Sequence, residues 1–204
     1  MYTIFCFAWL AVVVIAMLKH SAMPFAFAAT FEFEEDNGAA AGTPPKGTTR
    51  TAARTDCNWK NIDDSTTAYT SSPVTAGNNS FEKWQFGHFS NTYNQILAGL
   101  FAHTAGDLGT GLTLKGKVAP TGGYTAPSTG VNANLTVDMT AAISIGSGQA
   151  VQFGATGPEA SGKAASTTQN PAYTEWLVTQ LQTTTGANPG DTATVTLTLE
   201  YQEN

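Results

Sequence analysis

The sequence has few charged residues, and the shortage is greatest for positive charge. Lys, Arg, Asp and Glu form 12% of the 204 residues, with nine basic residues against 15 acidic ones. Residues 1–28 contain one basic and no acidic residue, so the remainder carries a formal charge of −7. Nucleic-acid binding depends largely on Lys and Arg that neutralise phosphates. We therefore expect no nucleic-acid partner.

Cysteine is also scarce. Cys6 lies in the apolar N-terminal stretch, which leaves Cys57 as the one thiol in the rest of the chain. A single thiol cannot form an intrachain disulfide, so the sequence excludes the disulfide framework that small secreted scaffolds use.

Long apolar runs are limited to the N-terminus. Residues 4–18 form an apolar run of about 15 residues, which is shorter than the roughly 20 that a membrane-spanning helix needs. We therefore predict no stable membrane span. Ala26-Phe27-Ala28 fits a signal-peptidase site, but the first basic residue, Lys19, follows the apolar run instead of preceding it. Residues 1–28 are therefore either an export signal or an over-extended start before a product that begins at Met23.

Gly, Thr, Ala and Ser are abundant in the remaining chain, a composition that favours strands and turns. The sequence predicts strands at LTLKGKV (112–118), VNANLTVDM (131–139), AAISIG (141–146), QAVQF (149–153) and DTATVTLTLEY (191–201). YTEWLVTQLQTT (173–184) fits a central strand or a short helix. This pattern indicates an all-β protein, an antiparallel β-sandwich of the immunoglobulin or jelly-roll type, with its main domain over residues 56–204.

The N-terminal part of the body combines a strand with a flexible segment. Phe31 and Phe33 alternate with glutamates, the period of a half-buried strand. Residues 37–55 are rich in Gly, Pro, Ala and Thr without a periodic apolar face, so residues 29–55 are predicted to be a strand followed by a flexible arm. Phe31 and Phe33 are accordingly candidates for an inter-subunit strand that pairs with a neighbouring copy. The alternative is that this strand pairs within its own domain.

Residues 78–106 are the most aromatic part of the chain. Trp84 and Phe86 share one face of a strand, and Phe89 and Tyr93 share the other. The later part also fits helical spacing, but the glycines within it favour strands. Trp84, Phe86 and Trp176 are predicted to be aromatic contact residues or core residues. Exposed Trp and Tyr rings could instead stack on sugars, which is the weaker explanation because the chain needs its aromatics to fill a core.

No catalytic or cofactor motif is complete. GPEASGKA (157–164) resembles a phosphate-binding loop, but Ala164 lacks the hydroxyl that would hold magnesium. His20, His88 and His103 lack metal-ligand spacing and are expected to be structural. Cys57 has no histidine near it in sequence, so no nucleophile is assembled. We predict no catalytic, metal or cofactor-binding residues and no enzymatic activity.

Three stretches carry a resemblance to a known group. They are SSPVTAGNNSFEKWQFGHF, YTAPST, and YTEWLVTQLQTTTGANPGDTATVTLTLEYQEN at the C-terminal end. They are similar to structural proteins of tailed bacteriophages that share a P-[IV]-T-A-G-x-N-S-[FY]-E-K segment, a YTxP element, a Q-[LM]-Q-T-T segment and a closing strand. The matching residues are 73–83, 124–127, 173–184 and 192–203.

The resemblance implies a virion structural protein, a head-surface or tail component of the particle. Such a protein forms homo-oligomers, contacts other virion proteins and assembles in the host cytoplasm, where no export signal is needed. The resemblance therefore favours a start near Met23. The alternative is an exported β-sandwich protein, either a surface filament subunit or a carbohydrate-binding module, that is secreted or held at the cell surface.

Overall fold

The computed structural model is an antiparallel all-β structure. It describes residues 29–103, 108–118, 123–139, 144–145, 153–154, 156–158, 164, 166–188 and 196–203. Within these ranges the only helical element is one 3-10 turn, Tyr69–Ser71. None of the described segments is a helix long and apolar enough to cross a membrane.

The described residues form twelve strands. These are β1 Thr30–Ala41, β2 Lys46–Arg54, β3 Lys83–Ser90, β4 Ile96–His103, β5 Leu112–Val118, β6 Val137–Asp138, β7 Ser144–Ile145, β8 Phe153–Gly154, β9 Ser166–Thr167, β10 Ala172–Thr174, β11 Leu177–Thr183 and β12 Leu197–Glu203.

The strands belong to two sheets. The larger, eight-stranded sheet has the order β2-β1-β3-β11-β5-β6, and β10 joins it through β3 and carries β8. The smaller sheet has the order β12-β4-β7, with β9 also paired to β4. The predicted all-β antiparallel fold is confirmed, whereas its assignment to an immunoglobulin or jelly-roll sandwich stays a prediction.

Two apolar clusters lie on opposite faces of β3. The first joins residues of both sheets, including Phe89, Ile96, Leu177 and Leu199. The second is smaller and aromatic, and it consists of Trp84, Phe86, Tyr124, Leu135, Trp176 and Val178. The two-residue period of a strand sends Trp84 and Phe86 to one side and Phe89 to the other, as the sequence predicted.

Most of the strands predicted along the body are present, although several are shorter than expected. Residues 112–118 form β5 over the full predicted length, and residues 173–184 contain a central strand, β11, not a helix. In contrast, only Val137–Asp138 is a strand within residues 131–139. In β12, Leu199 is buried while Thr198 and Glu200 are exposed, as the alternation predicted.

The prediction of a flexible arm over residues 37–55 is wrong. β1 continues to Ala41, the chain turns over residues 42–45, and β2 returns along β1 from Lys46 to Arg54. The sequence did not predict a strand here because β2 has no apolar face of its own. Its ladder to β1 and its arginines supply the contacts instead, and Arg50 lies opposite Asp36 in the register.

The register of β1 also shows where Phe31 and Phe33 lie. β1 pairs with β3 from Thr30↔Ser90 to Asp36↔Trp84, and with β2 along its other edge. Phe31 and Phe33 pack against the first apolar cluster of their own chain. β1 is therefore an internal strand, and its pairing is the one that the sequence analysis gave as the alternative to exchange between copies.

Some predictions fall on residues outside the described ranges. Residues 1–28, most of the phosphate-loop-like segment and residues 189–195 belong to this group, as does the side chain of His103.

Candidate functional site

Four consecutive polar residues of β1 are buried: Glu34, Glu35, Asp36 and Asn37. In a strand, neighbouring side chains point to opposite faces, so Glu35 and Asn37 share one face of the sheet while Glu34 and Asp36 share the other. Burying ionised groups is costly unless they are paired. These four residues therefore need hydrogen-bond or ion-pair partners in the fold, and those partners are described next.

We call Glu35, Asn37, Lys83 and Gln85 the polar centre. Lys83 Nζ and Asn37 Nδ2 each donate to Glu35 Oε1 at 3.0 Å, and Gln85 Nε2 donates to Glu35 Oε2 at 3.1 Å. Glu35 and Gln85 are directly opposite each other in the β1–β3 register. One carboxylate thus accepts hydrogen bonds from an amine and two amides.

Residues 55–82, which we call the covering segment, link β2 to β3. Part of this segment covers the polar centre. Asp63 accepts hydrogen bonds from Asn37 Nδ2 at 3.0 Å and from the backbone N of Gly38 at 2.9 Å. The backbone oxygen of Asp64 accepts from Lys83 Nζ at 2.8 Å. These contacts keep water away from the amine and the amide.

Lys60 and Asp64 shape the covering segment. Lys60 Nζ donates to Asp64 Oδ1 at 2.6 Å and to the backbone oxygen of Thr67. Partial burial works to raise the pKa of Asp64, but hydrogen bonds from Lys60 and Thr67 outweigh it and hold the pKa well below its usual range.

Cys57 is the one cysteine among the described residues, and it contacts the polar centre. Its Sγ donates to Gln85 Oε1 at 2.9 Å. Burial, reinforced by the charge of Glu35, raises the pKa of Cys57 far above its ordinary value. A thiol held in its protonated form is a poor nucleophile, so this cysteine is structural.

The opposite face of β1 connects charge to the aromatic cluster. Arg50 binds Asp36 with two hydrogen bonds of 2.8 Å, and Trp176 Nε1 donates to Asp36 Oδ2 at 3.3 Å. The guanidinium also lies 4.6 Å from the centroid of the Phe86 ring. Trp84, Phe86 and Trp176 are 1%, 0% and 2% exposed, so all three are core residues and none is a surface contact.

Two more of the aromatic residues that could stack on sugars are hydrogen-bonded within the fold. Tyr124 is 1% exposed, and its hydroxyl donates to the backbone oxygen of Gly38 at 2.8 Å. Trp59 is half-buried and donates from Nε1 to Thr179 Oγ1 at 3.0 Å.

Glu82 is a buried carboxylate bound by neutral groups. Asn132 Nδ2 donates to its Oε1 at 3.1 Å, and Trp84 Nε1 donates to its Oε2 at 3.3 Å. Burial raises the pKa of Glu82, although both hydrogen bonds oppose the shift. Its ionised form is therefore disfavoured in the folded state.

His88 lies between two glutamates of the neighbouring strand. Its Nδ1 is 2.8 Å from Glu34 Oε1 and 3.2 Å from Glu32 Oε1, and its ring stacks on Tyr173 with centroids 4.5 Å apart. The three groups offer ligand atoms within 4.8 Å of one another, which is close enough for a cation. Spacing along the chain could not reveal this group because β1 supplies two of its members and β3 the third.

A small polar pocket lies on the surface beside the covering segment. It has a volume of about 330 Å³ and is lined by Asn61, Gly77, Asn78, Asn79 and Thr129.

The three large apolar side chains that are exposed among the described residues come from neighbouring parts of the chain. Ile62 follows Asn61, Val131 lies two residues after Thr129, and Tyr69 begins the turn that leads to Ser72, whose oxygen accepts from the backbone N of Asn61. They are 39%, 74% and 49% exposed, respectively.

No family model, curated protein or solved structure matches the chain. The similarity to bacteriophage structural proteins therefore stays a sequence-based prediction.

Sequence reasoning missed the polar centre. A signal was present, because the pattern of Phe31 and Phe33 requires Glu35 and Asn37 to continue on the same face of the strand. Polar residues at the positions of an inward face indicate either exposure or a buried partner. The partner, Lys83, is 46 residues after Asn37, and only the pairing of β1 with β3 brings the two together.

Proposed function

We propose that the chain is a structural protein of a tailed-bacteriophage particle, a component of the head surface or the tail. It acts by self-association and docking to other virion proteins, without catalysis, and assembles in the host cytoplasm. The segments within residues 73–204 that resemble such proteins support this proposal, as does the all-β fold.

The observation that carries the docking mechanism is the edge of the larger sheet. Among the described residues, β2 pairs with β1 alone, so its nine residues stand at the end of the sheet order. An edge strand presents backbone groups that can pair with another chain. β2 contains no proline and has mostly small side chains, so a strand from a neighbouring subunit can approach it. In this proposal, β2 is the strand that pairs with a neighbouring subunit, in place of the strand that contains Phe31 and Phe33.

Apolar burial supplies the second part of the mechanism. Ile62, Tyr69 and Val131 are exposed, and exposed apolar groups near one another are typical of protein interfaces. Their burial against a neighbouring subunit would add to the strand pairing at β2.

The first test measures self-association. Sedimentation of the full chain over a range of concentrations should show oligomers, and Thr49→Lys in β2 should weaken association at least ~10-fold because a lysine hinders edge pairing. Thr49 is exposed, as is Thr125 in a loop, so Thr125→Lys is the matched control and should leave association unchanged. A wild-type chain that stays monomeric at every concentration, or equal effects of the two substitutions, would refute the docking mechanism.

The second test addresses the particle itself. Mass spectrometry of purified phage particles from the host that carries this gene should detect peptides of the chain at a fixed ratio to the major capsid protein. Detection only in the culture supernatant or on the cell surface, in the absence of particles, would support the exported alternative and contradict the proposal.

A further inference from the structure

We propose that Lys83 and Asn37 join covalently in the folded protein, with Glu35 as the catalytic carboxyl group. The product is an intramolecular isopeptide bond between the side chains of two neighbouring strands. This inference does not depend on the proposed function, because it concerns only residues of the polar centre.

The geometry places the amine and the amide on one carboxylate oxygen. Lys83 Nζ and Asn37 Nδ2 are both 3.0 Å from Glu35 Oε1. Asn37 and Lys83 stand one residue beyond the Asp36↔Trp84 pair of the antiparallel register, so they are cross-strand neighbours on the same face as Glu35. The strands thus hold the reacting groups side by side, which removes most of the entropic cost of bringing them together.

Burial gives the site the environment that the reaction needs. Glu35, Lys83 and Asn37 are 0%, 1% and 3% exposed. Burial excludes water, which would otherwise compete with the amine for the carbonyl carbon of Asn37. The attack requires one proton to pass from Lys83 Nζ to Glu35 Oε1, which is 3.0 Å away.

The amide of Asn37 provides an independent indication. Its Oδ1 is buried, and no hydrogen-bond donor reaches it from the described residues. A buried carbonyl oxygen without a donor is rare and costly. A flip of the amide would place this oxygen against the Glu35 carboxyl group that now accepts from Nδ2, where a donated proton would polarise the carbonyl for attack.

The remaining contacts hold Glu35 and Lys83 in place. Gln85 Nε2 donates to Glu35 Oε2 at 3.1 Å, and Arg54 Nε lies 3.8 Å from the same oxygen. Oε1 is thus the carboxylate oxygen that contacts both the amine of Lys83 and the amide of Asn37. The backbone oxygen of Asp64 accepts from Lys83 Nζ at 2.8 Å and orients the amine.

The reaction balances without any added reagent. Lys83 Nζ, having given one proton to Glu35, attacks Cγ of Asn37 and forms the new C–N bond. The bond between Cγ and Nδ2 breaks, and Glu35 returns a proton to the departing nitrogen, which leaves as ammonia while the second amine proton regenerates the carboxyl group. The products are one secondary amide and one ammonia, and no oxidant, metal or cofactor is consumed.

A second reaction of Asn37 must be distinguished, because Asn37-Gly38 is a sequence that can cyclise to a succinimide with the same loss of ammonia. That reaction uses the backbone N of Gly38 as the nucleophile. Here this nitrogen donates to Asp63 Oδ2 at 2.9 Å, and that hydrogen bond must break before the nitrogen can attack. The structure thus favours Lys83 as the nucleophile.

The test is the intact mass of the purified, folded full chain, measured after denaturation. The wild type should be lighter than its sequence predicts by about 17 Da, the mass of ammonia. Trypsin does not cleave after an acylated lysine, so digestion should give a peptide of residues 61–115 joined to the peptide that ends at Lys46. A folded wild type with the full sequence mass would overturn the proposal, whatever the variants do.

Variants separate the isopeptide from the succinimide. Lys83→Arg, Asn37→Ala and Glu35→Gln should each restore the full mass and abolish the joined peptide. Lys60→Arg is the matched control, because Lys60 is also fully buried and bound to an aspartate, and it should keep the loss. A loss of ammonia that persists in Lys83→Arg would identify the succinimide and refute the cross-link.

Discussion

Trp176 offers the sharpest test of how the buried charges are held, through the substitution Trp176→Phe. The indole Nε1 donates to Asp36 Oδ2 at 3.3 Å, and the ring packs edge-on against Trp84 with centroids 5.7 Å apart. A hydrogen bond to a charged acceptor contributes about 1.5–3 kcal/mol. Because this bond is long, we take the lower end of that range. The smaller phenyl ring also loses packing worth about 1 kcal/mol. We therefore expect the free energy of unfolding to fall by about 2–3 kcal/mol.

Trp59→Phe is the matched control for this substitution. Trp59 Nε1 also donates a hydrogen bond, at 3.0 Å, but to the neutral hydroxyl of Thr179, and its ring is half-buried. The expected loss is about 1 kcal/mol. Urea unfolding followed by circular dichroism measures both variants against the same wild type, and equal slopes in urea show that the comparison is valid. Equal losses for the two variants would refute the argument that the charge on Asp36 makes Trp176 the more important donor.

Two further substitutions test burial and backbone conformation. Glu82→Gln should gain stability relative to the wild type as the pH rises to 7, because burial raises the pKa of Glu82 and makes its ionised form unfavourable in the fold; this relative gain should be absent well below about pH 4.3, where the wild-type carboxyl group is protonated in both the folded and the unfolded state. Unfolding in urea across this pH range checks the sign, and a constant difference would contradict it. Gly111→Ala and Gly109→Ala both place alanine at positive φ, +80° and +84°, but only at Gly111 would the new Cβ meet a backbone nitrogen, at 2.8 Å. We expect Gly109→Ala to cost about 1 kcal/mol through strain and Gly111→Ala about 1–3 kcal/mol more, measured by the same unfolding assay, and equal costs would show that the clash is absorbed.

The parts of the fold that the sequence predicted well depend on apolar periodicity. β5 and β12 have clear alternation, and the two faces of β3 could be assigned because Phe89 lies an odd number of positions after both Trp84 and Phe86. Periodicity of this kind can be seen within one short segment of sequence. It remains valid in the sheet because one face of each strand packs against the core and the other faces away from it.

β2 could not be predicted because nothing in its own sequence stabilises it. KGTTRTAAR has no apolar alternation, and its stability comes from the ladder to β1 and from the contacts of Arg50. Both depend on residues before the turn, and a window that contains β2 alone does not include them. Tertiary contacts thus override composition here.

The polar centre was hidden for a related reason. Sequence analysis places a charged residue at the surface unless a partner for it is known, because ionised residues are seldom buried without one. Lys83 precedes a tryptophan and Glu35 follows a phenylalanine, but neither context identifies the other residue. Only the antiparallel register of β1 and β3 shows that the charges neutralise each other.

The four buried polar residues of β1 have a consequence for how the chain selects one pairing during folding. If β1 slipped by one residue, Glu35 and Asn37 would turn towards the aromatic side, and Asp36 would leave Arg50 for the face that holds Lys83. A one-residue misalignment would thus trap unpaired ions in a dry interior, whereas an all-apolar strand would lose only some packing. The buried polar residues of β1 therefore select the native register, because forms with the slipped register are too unstable to compete with it.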